Sequence, residues 1–198
     1  MKKMMMTLAA VLCCAMTTTV FTSCGGDDDN GNGGGQQESE ILGIGARYTV
    51  SVTKTMSELC DYSVTYYGND NQLKTEAVTF TVNNDVAIWQ KDVSSINLPA
   101  IFGLKLTATV KNDAQLDDVS ISNIYPTAQN IYVEGISKDG KKLWSKNIDP
   151  RHNTSASTST TGAKLVEYLS IINSHGGFLN ASFSVDKDGK ETSLGKIE

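Results

Sequence analysis

Cys60-Asp61-Tyr62-Ser63-Val64-Thr65-Tyr66 alternates apolar and polar side chains without a break. Successive side chains of an extended chain point to opposite faces, so this stretch makes one apolar face and one polar face. The same two-residue period appears on both sides of it. Tyr48, Val50 and Val52 alternate with Thr49, Ser51 and Thr53, and Val78, Phe80 and Val82 alternate with Thr79 and Thr81. Leu104, Leu106, Ala108 and Val110 alternate with Lys105, Thr107, Thr109 and Lys111. This is the pattern of antiparallel strands packed on one side and solvated on the other, and its β-branched content agrees.

Turn residues separate these runs. Gly68-Asn69-Asp70-Asn71 follows the second strand, and Asn83-Asn84-Asp85 precedes a strand over Val86–Lys91. Asp139-Gly140 and Asp188-Gly189 sit in identical Lys-Asp-Gly-Lys contexts and read as type I′ hairpin turns. They would join Ile131–Ser137 to Leu143–Ile148 and Leu179–Asp186 to Glu191–Lys196. Pro99, Pro126 and Pro150 fall between strands, where the missing N–H costs nothing. Gly43-Ile44-Gly45 reads as a junction ahead of the first strand. One segment departs from the pattern: Leu165, Val166, Leu169 and Ile172 have helical spacing over Ala163–Asn173, with Thr160 or Thr161 as N-cap and Gly176 as the stop. That helix is expected to close one end of the sheets.

Many short strands, hairpin turns and one late helix resemble an antiparallel immunoglobulin-like β-sandwich of about 7–10 strands, over about residues 46–198. The resemblance is architectural, since the Cys…Trp…Cys pattern of antibody domains is missing. A lipocalin-like β-barrel is the rival, weakened by the lack of an early Gly-x-Trp element. Within 41–198 one domain is expected; a two-lobe division near Pro126 is the other organisation the pattern allows.

The first forty residues have a different character. Lys2 and Lys3 precede an apolar run, Met4 to Val20, that is below the roughly 18–20 residues a membrane-spanning helix needs, so it reads as a signal peptide. It ends in Phe21-Thr22-Ser23-Cys24, which resembles the lipobox of bacterial lipoproteins, with Phe21 where Leu is usual. The resemblance implies that residues 1–23 are removed and that Cys24 is acylated. Gly25-Gly26-Asp27-Asp28-Asp29 resembles the acidic export signal of Bacteroidota-type surface-exposed lipoproteins. That likeness implies an outer-membrane protein displayed on the cell surface and bound to the membrane through its lipid. The plainer reading of Asp27, Asp28 and Asp29 is the start of a solvated linker. Residues 24–40 are too polar to bury anything and read as a flexible acidic, Gly-rich tether. Each buried methylene of the lipid would contribute about 0.8 kcal/mol to the anchor.

Charge and cysteine usage narrow the functional classes. The chain has 17 basic and 22 acidic residues. Lys2 and Lys3 belong to the leader, and five acids lie before residue 41, so the domain itself is nearly neutral. It lacks the basic footprint of a nucleic-acid binder. Cys13 and Cys14 leave with the leader and Cys24 takes lipid, which leaves Cys60 alone and rules out a disulfide framework. Cys60 is in phase with Tyr62 and reads as a small buried hydrophobe. There is no CxxC, HExxH, G-x-S-x-G, P-loop or G-x-G-x-x-G sequence, so no metal, cofactor or catalytic set is expected. His152 reads as a loop residue and His175 as a helix C-terminal cation. Asp186-Lys187-Asp188-Gly189 starts like a calcium loop but lacks the later ligands.

The aromatics carry the functional expectation. Trp89 is out of phase with Val86 and Ile88, Tyr132 with Ile131 and Val133, and Tyr67 with Tyr62–Tyr66, while Trp144 has no clear phase. Gathered on one sheet face, Trp89, Tyr132, Tyr67 and Trp144 would form a stacking platform for sugar rings or a patch for a protein partner. The alternative is that both Trp fill the core. The expectation is a non-catalytic ligand-binding module for a glycan or protein, with a structural component of a surface or pilus-like assembly as the other reading.

Overall fold

The computed structural model describes residues 40–150 and 158–198. Cys24, Asp27, Asp28, Asp29 and His152, singled out by the sequence, lie outside the described residues. Two five-stranded antiparallel sheets form the body. The first has the order β4 (Thr81–Asn83), β5 (Val86–Ser95), β1 (Ile41–Thr53), β8 (Ala128–Ser137), β9 (Lys142–Ile148). The second has the order β12 (Glu191–Gly195), β11 (Leu179–Val185), β6 (Ala100–Val110), β2 (Cys60–Tyr67), β3 (Leu73–Ala77). A small ladder of β7 (Ser120–Ile121) and β10 (Thr160–Thr161) lies beside them. Neither sheet closes into a barrel, so the architecture is a β-sandwich.

The alternation seen in the sequence sets the core. Cys60, Tyr62, Val64 and Tyr66 of β2 are buried, as are Tyr48, Val50 and Val52 of β1 and Leu104, Leu106 and Ala108 of β6. Ile131 and Val133 of β8 and Ala181, Phe183 and Val185 of β11 complete the inner layer. Each fully buried aliphatic or Phe side chain contributes about 1.5–3 kcal/mol by leaving water. β1 lies between β5 and β8, and β6 between β11 and β2, so a cut at Pro126 would divide both sheets. Gly43 and Gly45 are inside β1 and buried, not at a junction before it. Gly43 lies against the Ser95 backbone, closer than a Cβ allows.

The chain changes sheet five times, the first time through α1 (Lys54–Leu59), a short helix that the strand pattern does not announce. Thr53 caps it by accepting from the Met56 N–H. The Val78, Phe80, Val82 alternation is not one strand: β3 pairs with β2 up to Ala77, and β4 pairs with β5 from Thr81. Residues 78–80 carry the chain from one sheet to the other. At the third crossing, β5 to β6, Ser94 N–H donates to Asn69 Oδ1, Ile96 N–H to Asp70 Oδ1 and Ile101 N–H to Asn71 Oδ1. The Gly68–Asn71 turn therefore also clamps the neighbouring connection.

The two Asp-Gly hairpins are built alike but are not type I′. Only Gly140 (φ 81°) and Gly189 (φ 77°) are left-handed, whereas type I′ needs two such residues. The N–H of Ser137 reaches Lys141 O and that of Gly140 reaches Ser137 O; Asp186, Lys190 and Gly189 repeat both bonds. This is a three-residue loop with a glycine bulge, the solution that an extra Lys before each Asp-Gly favours. In the second hairpin Asp186 Oδ1 accepts from the N–H of Asp188 and of Lys190, so the calcium-like residue serves the turn.

α2 (Gly162–Ser174) packs Leu165, Leu169 and Ile172 against the body, with Asn173 donating to Ala108 O of β6. Val166 was expected on that face but is 57% exposed. His175 closes the helix, its Nδ1 2.8 Å from Ile171 O.

The register fixes the two ends of the sandwich. Ile41 opposes Ser137 and Ile44 opposes Ser95, while Glu40 pairs with Lys138. The chain therefore enters at the end that carries the 68–72, 96–99, 138–140 and 186–190 connections. α1, the β4–β5 turn and α2 lie at the other end.

Candidate functional site

At the end away from Glu40, the β2–β3 ladder splits. Its last bond is Val78 N–H to Tyr62 O at 2.9 Å, after which the chain turns toward the other sheet while β2 runs back to Cys60. Alternate residues of a strand present their main chains to the same edge. Leu59 O is taken on the β6 side by Lys111 N–H, so the Cys60 carbonyl faces the split. The result is a cleft of about 420 Å³, with Glu58, Cys60 and Asp61 on one wall and Val78, Phe80 and Val82 on the other.

Each wall has a structural cause. Lys111 receives the end of α1: its Nζ donates to Ser57 O at 2.9 Å and Glu58 O at 3.0 Å, and its N–H to Leu59 O. One residue thus satisfies three carbonyls that a helix C-terminus leaves open. Its ammonium is committed to those oxygens. The Glu58 and Asp61 carboxylates remain at the exposed rim, with only a long 3.7 Å pair from Lys54 to Glu58. Phe80 packs edge-on against Tyr62, with centroids 5.3 Å apart, and Tyr62 stacks on Phe178, so the apolar wall continues into the core.

Cys60 forms part of the floor but is only 2% exposed. Burial pushes its thiol up to about 12, with Lys111 opposing that shift weakly. It is therefore a protonated thiol at neutral pH and a poor nucleophile. The cleft has the chemistry of non-covalent binding: an apolar wall beside an acidic rim. The Cys60 N–H is taken by Met56 O of α1, so side chains rather than main-chain donors line the cleft. Among the described residues no group of three His, Cys, Asp or Glu is placed to hold a metal ion. None of their helices is long and apolar enough to cross a membrane.

The aromatic platform expected from the sequence is not assembled. Trp89 is 6% exposed and meets Tyr66 edge-on at 5.8 Å, because the inward phase of β5 is Ala87, Trp89 and Val93. Val86 is at the hairpin tip and Ile88 faces outward, which inverts the phase read from the sequence. Trp144 is half-buried over Gly135 of the adjacent strand, and its Nε1 donates to Lys187 O at 2.9 Å. Lys146 joins the same seam through Gly189 O and Glu191. Trp144 thus ties β9 to the β11–β12 hairpin.

Tyr132 is on the outer face of the first sheet, opposite Arg47, whose guanidinium pairs with Asp92 at 2.7 Å. Its hydroxyl donates to Glu134 Oε2 at 3.2 Å. Glu134 is only 3% exposed, its Oε1 has no partner, and burial raises its carboxyl above the ordinary range. Tyr67 lies across the sandwich in β2, where its main-chain carbonyl accepts from Tyr48. Of the four aromatics, then, Tyr132 and Tyr67 sit on different sheets and the two Trp are structural.

The cleft residues Phe80, Glu58 and Asp61 were not singled out by sequence. The alternation through Val78–Val82 hides them, because the side-chain phase continues while the pairing partner changes. No protein-family description, curated protein or solved structure matches this chain.

Proposed function

We propose that this chain is a non-catalytic binding module of the cell surface, anchored to the outer membrane through lipid on Cys24. Its ligand is an extended segment of a partner protein that carries an apolar side chain beside a basic one. The observation that carries the reading is the cleft at the split of the β2–β3 ladder, which sets the Phe80 wall beside two carboxylates at the end away from Glu40. The Phe80 wall takes the apolar side chain, and the Glu58 and Asp61 carboxylates attract the basic one. A glycan reading rested on the aromatic platform and has less support with Trp89 in the core.

An assembly role would use an edge strand, and β3, β4, β9 and β12 hold the outer positions of the two sheets. The Trp144 and Lys146 bonds to the β11–β12 hairpin brace one of these sides. The cleft favours the binding module.

Selection of a displayed peptide library on the full-length protein tests this. Enriched peptides should pair a large apolar residue with Lys or Arg. Phe80→Ser and Asp61→Lys should each weaken them about tenfold or more, equivalent to about 1.4 kcal/mol, and Tyr132→Ala should not. Peptides indifferent to both cleft substitutions, or a glycan-array signal abolished by Tyr132→Ala, would overturn the assignment.

A further inference from the structure

Four large apolar side chains stand exposed at the end where the chain enters: Leu73 (46%), Ile96 (37%), Leu98 (39%) and Leu143 (40%). Their shared position follows from register. Leu73 opposes Tyr67 at the end of β2, Ile96 and Leu98 follow Ser95, which opposes Ile44, and Leu143 follows the 138–141 turn. The loop that carries Ile96 and Leu98 is fixed on both sides. Ser94, Ile96 and Ile101 N–H groups donate to Asn69, Asp70 and Asn71, and Asn71 Nδ2 donates to Pro99 O at 3.3 Å. Its side chains are therefore presented outward and not folded back.

The charges at this end are balanced. Lys138, Lys141 and Lys187 pair with Glu40, Asp139 and Asp188. Lysine stems around isolated apolar points suit an interface in which the ammonium groups stay in water and the hydrocarbon parts do not. Near-neutral charge gives no preference for anionic headgroups.

We infer that this end is a membrane-contact face, with Ile96, Leu98, Leu73 and Leu143 seated at the acyl-chain boundary of the bilayer. The occupant follows from where the chain leads. Glu40 lies at this end and Cys24 stands 16 positions before it, so a bilayer holding that anchor is within reach of these four residues. The inference rests on the lipid-anchor reading. It adds an orientation: the domain stands on its entry end and turns the β2–β3 cleft away from the membrane.

The test uses the full-length lipidated protein in vesicles of zwitterionic phospholipid, labelled with an environment-sensitive fluorophore at Ile96→Cys, Leu143→Cys or Val166→Cys. Cys60 is buried and does not compete for the label. Val166 is the most exposed of these positions and lies at the opposite end. Emission from positions 96 and 143 should move to shorter wavelength and be quenched by nitroxide-bearing lipids, unaffected by salt, while position 166 stays aqueous. Three outcomes would overturn the inference. Aqueous spectra at all positions on vesicle-bound protein would refute the contact face and leave the anchor standing. A blue shift without lipid quenching would mean that a second copy covers this end. Protein that washes off the vesicles would remove the anchor and the contact face together.

Discussion

Replacing Tyr48 by Phe removes a single oxygen from the middle of the molecule. Tyr48 is fully buried in β1, and its hydroxyl donates to Tyr67 O at 2.7 Å while accepting from Gly103 N–H at 3.4 Å. Both partners belong to the opposite sheet, at the point where the β2–β6 ladder ends at Tyr66 and Leu104. The phenol bridges two main-chain groups just past that ladder. Tyr48→Phe keeps the ring and its 5.5 Å contact with Tyr66, but leaves a donor and an acceptor without the bridge. An unsatisfied buried polar group costs about 1–3 kcal/mol. Two of them, partly relieved if Gly103 and Tyr67 approach each other, give an expected loss of about 2–4 kcal/mol. The matched control is Tyr67→Phe, which leaves the Tyr67 carbonyl in place and should change stability by less than about 0.5 kcal/mol. Urea unfolding followed by tryptophan emission measures both, since Trp89 leaves a buried site on unfolding. A Tyr48→Phe loss below about 0.5 kcal/mol with an unchanged denaturant slope would refute the view that this hydroxyl joins the sheets.

Other expectations follow from groups that the fold leaves unsatisfied or shielded. Tyr62 is buried with an unpartnered hydroxyl, so Tyr62→Phe should be neutral or stabilising by up to about 2 kcal/mol in the same unfolding assay. Burial raises the Glu134 carboxyl, with Tyr132, Lys142 and Arg47 opposing that shift and Asp92 reinforcing it. A raised folded value means stability that is present below the unfolded glutamate value of about 4.3 and lost as pH rises through the folded one. Glu134→Gln should therefore flatten the fall in stability above about pH 4.3, read from melting temperature against pH. Cys60, with its thiol pushed up to about 12, should resist thiol reagents in the native protein and react on unfolding; rapid native labelling would contradict its placement. Gly135→Ala puts a methyl group into the Trp144 indole, so it should shift Trp144 emission and loosen the β9 seam, while Gly140→Ala should strain only its own turn.

The inner faces of β1, β2 and β6 were legible because a two-residue period in a half-buried strand has one physical solution. The late helix was legible from Leu165, Leu169 and Ile172, whereas Val166, next to Leu165, was assigned inward on spacing alone. β5 was misread because its inward positions are Ala87, Trp89 and Lys91, and its β-branched Val86 and Ile88 face out. There, packing by the opposing sheet overrides residue preference. Lys91 sits in the inward phase at the sheet margin, where it bonds Glu76 and lies over the Tyr66 ring. The cleft was illegible for a different reason. Period-two patterning reports which face a side chain takes, and says nothing about which strand its main chain pairs with. The exchange of partners between Ala77 and Thr81 therefore leaves no mark on the sequence. The same holds for Asn69, Asp70 and Asn71, whose composition marks a turn while their clamp on β5 and β6 depends on tertiary contact.

The orientation and the function both depend on how the chain is held. Mass spectrometry of the mature protein from the membrane fraction tests that directly. The mature chain is expected to begin at an acylated Cys24. A mature chain with an unmodified Cys24, or one recovered wholly in the soluble fraction, would contradict it.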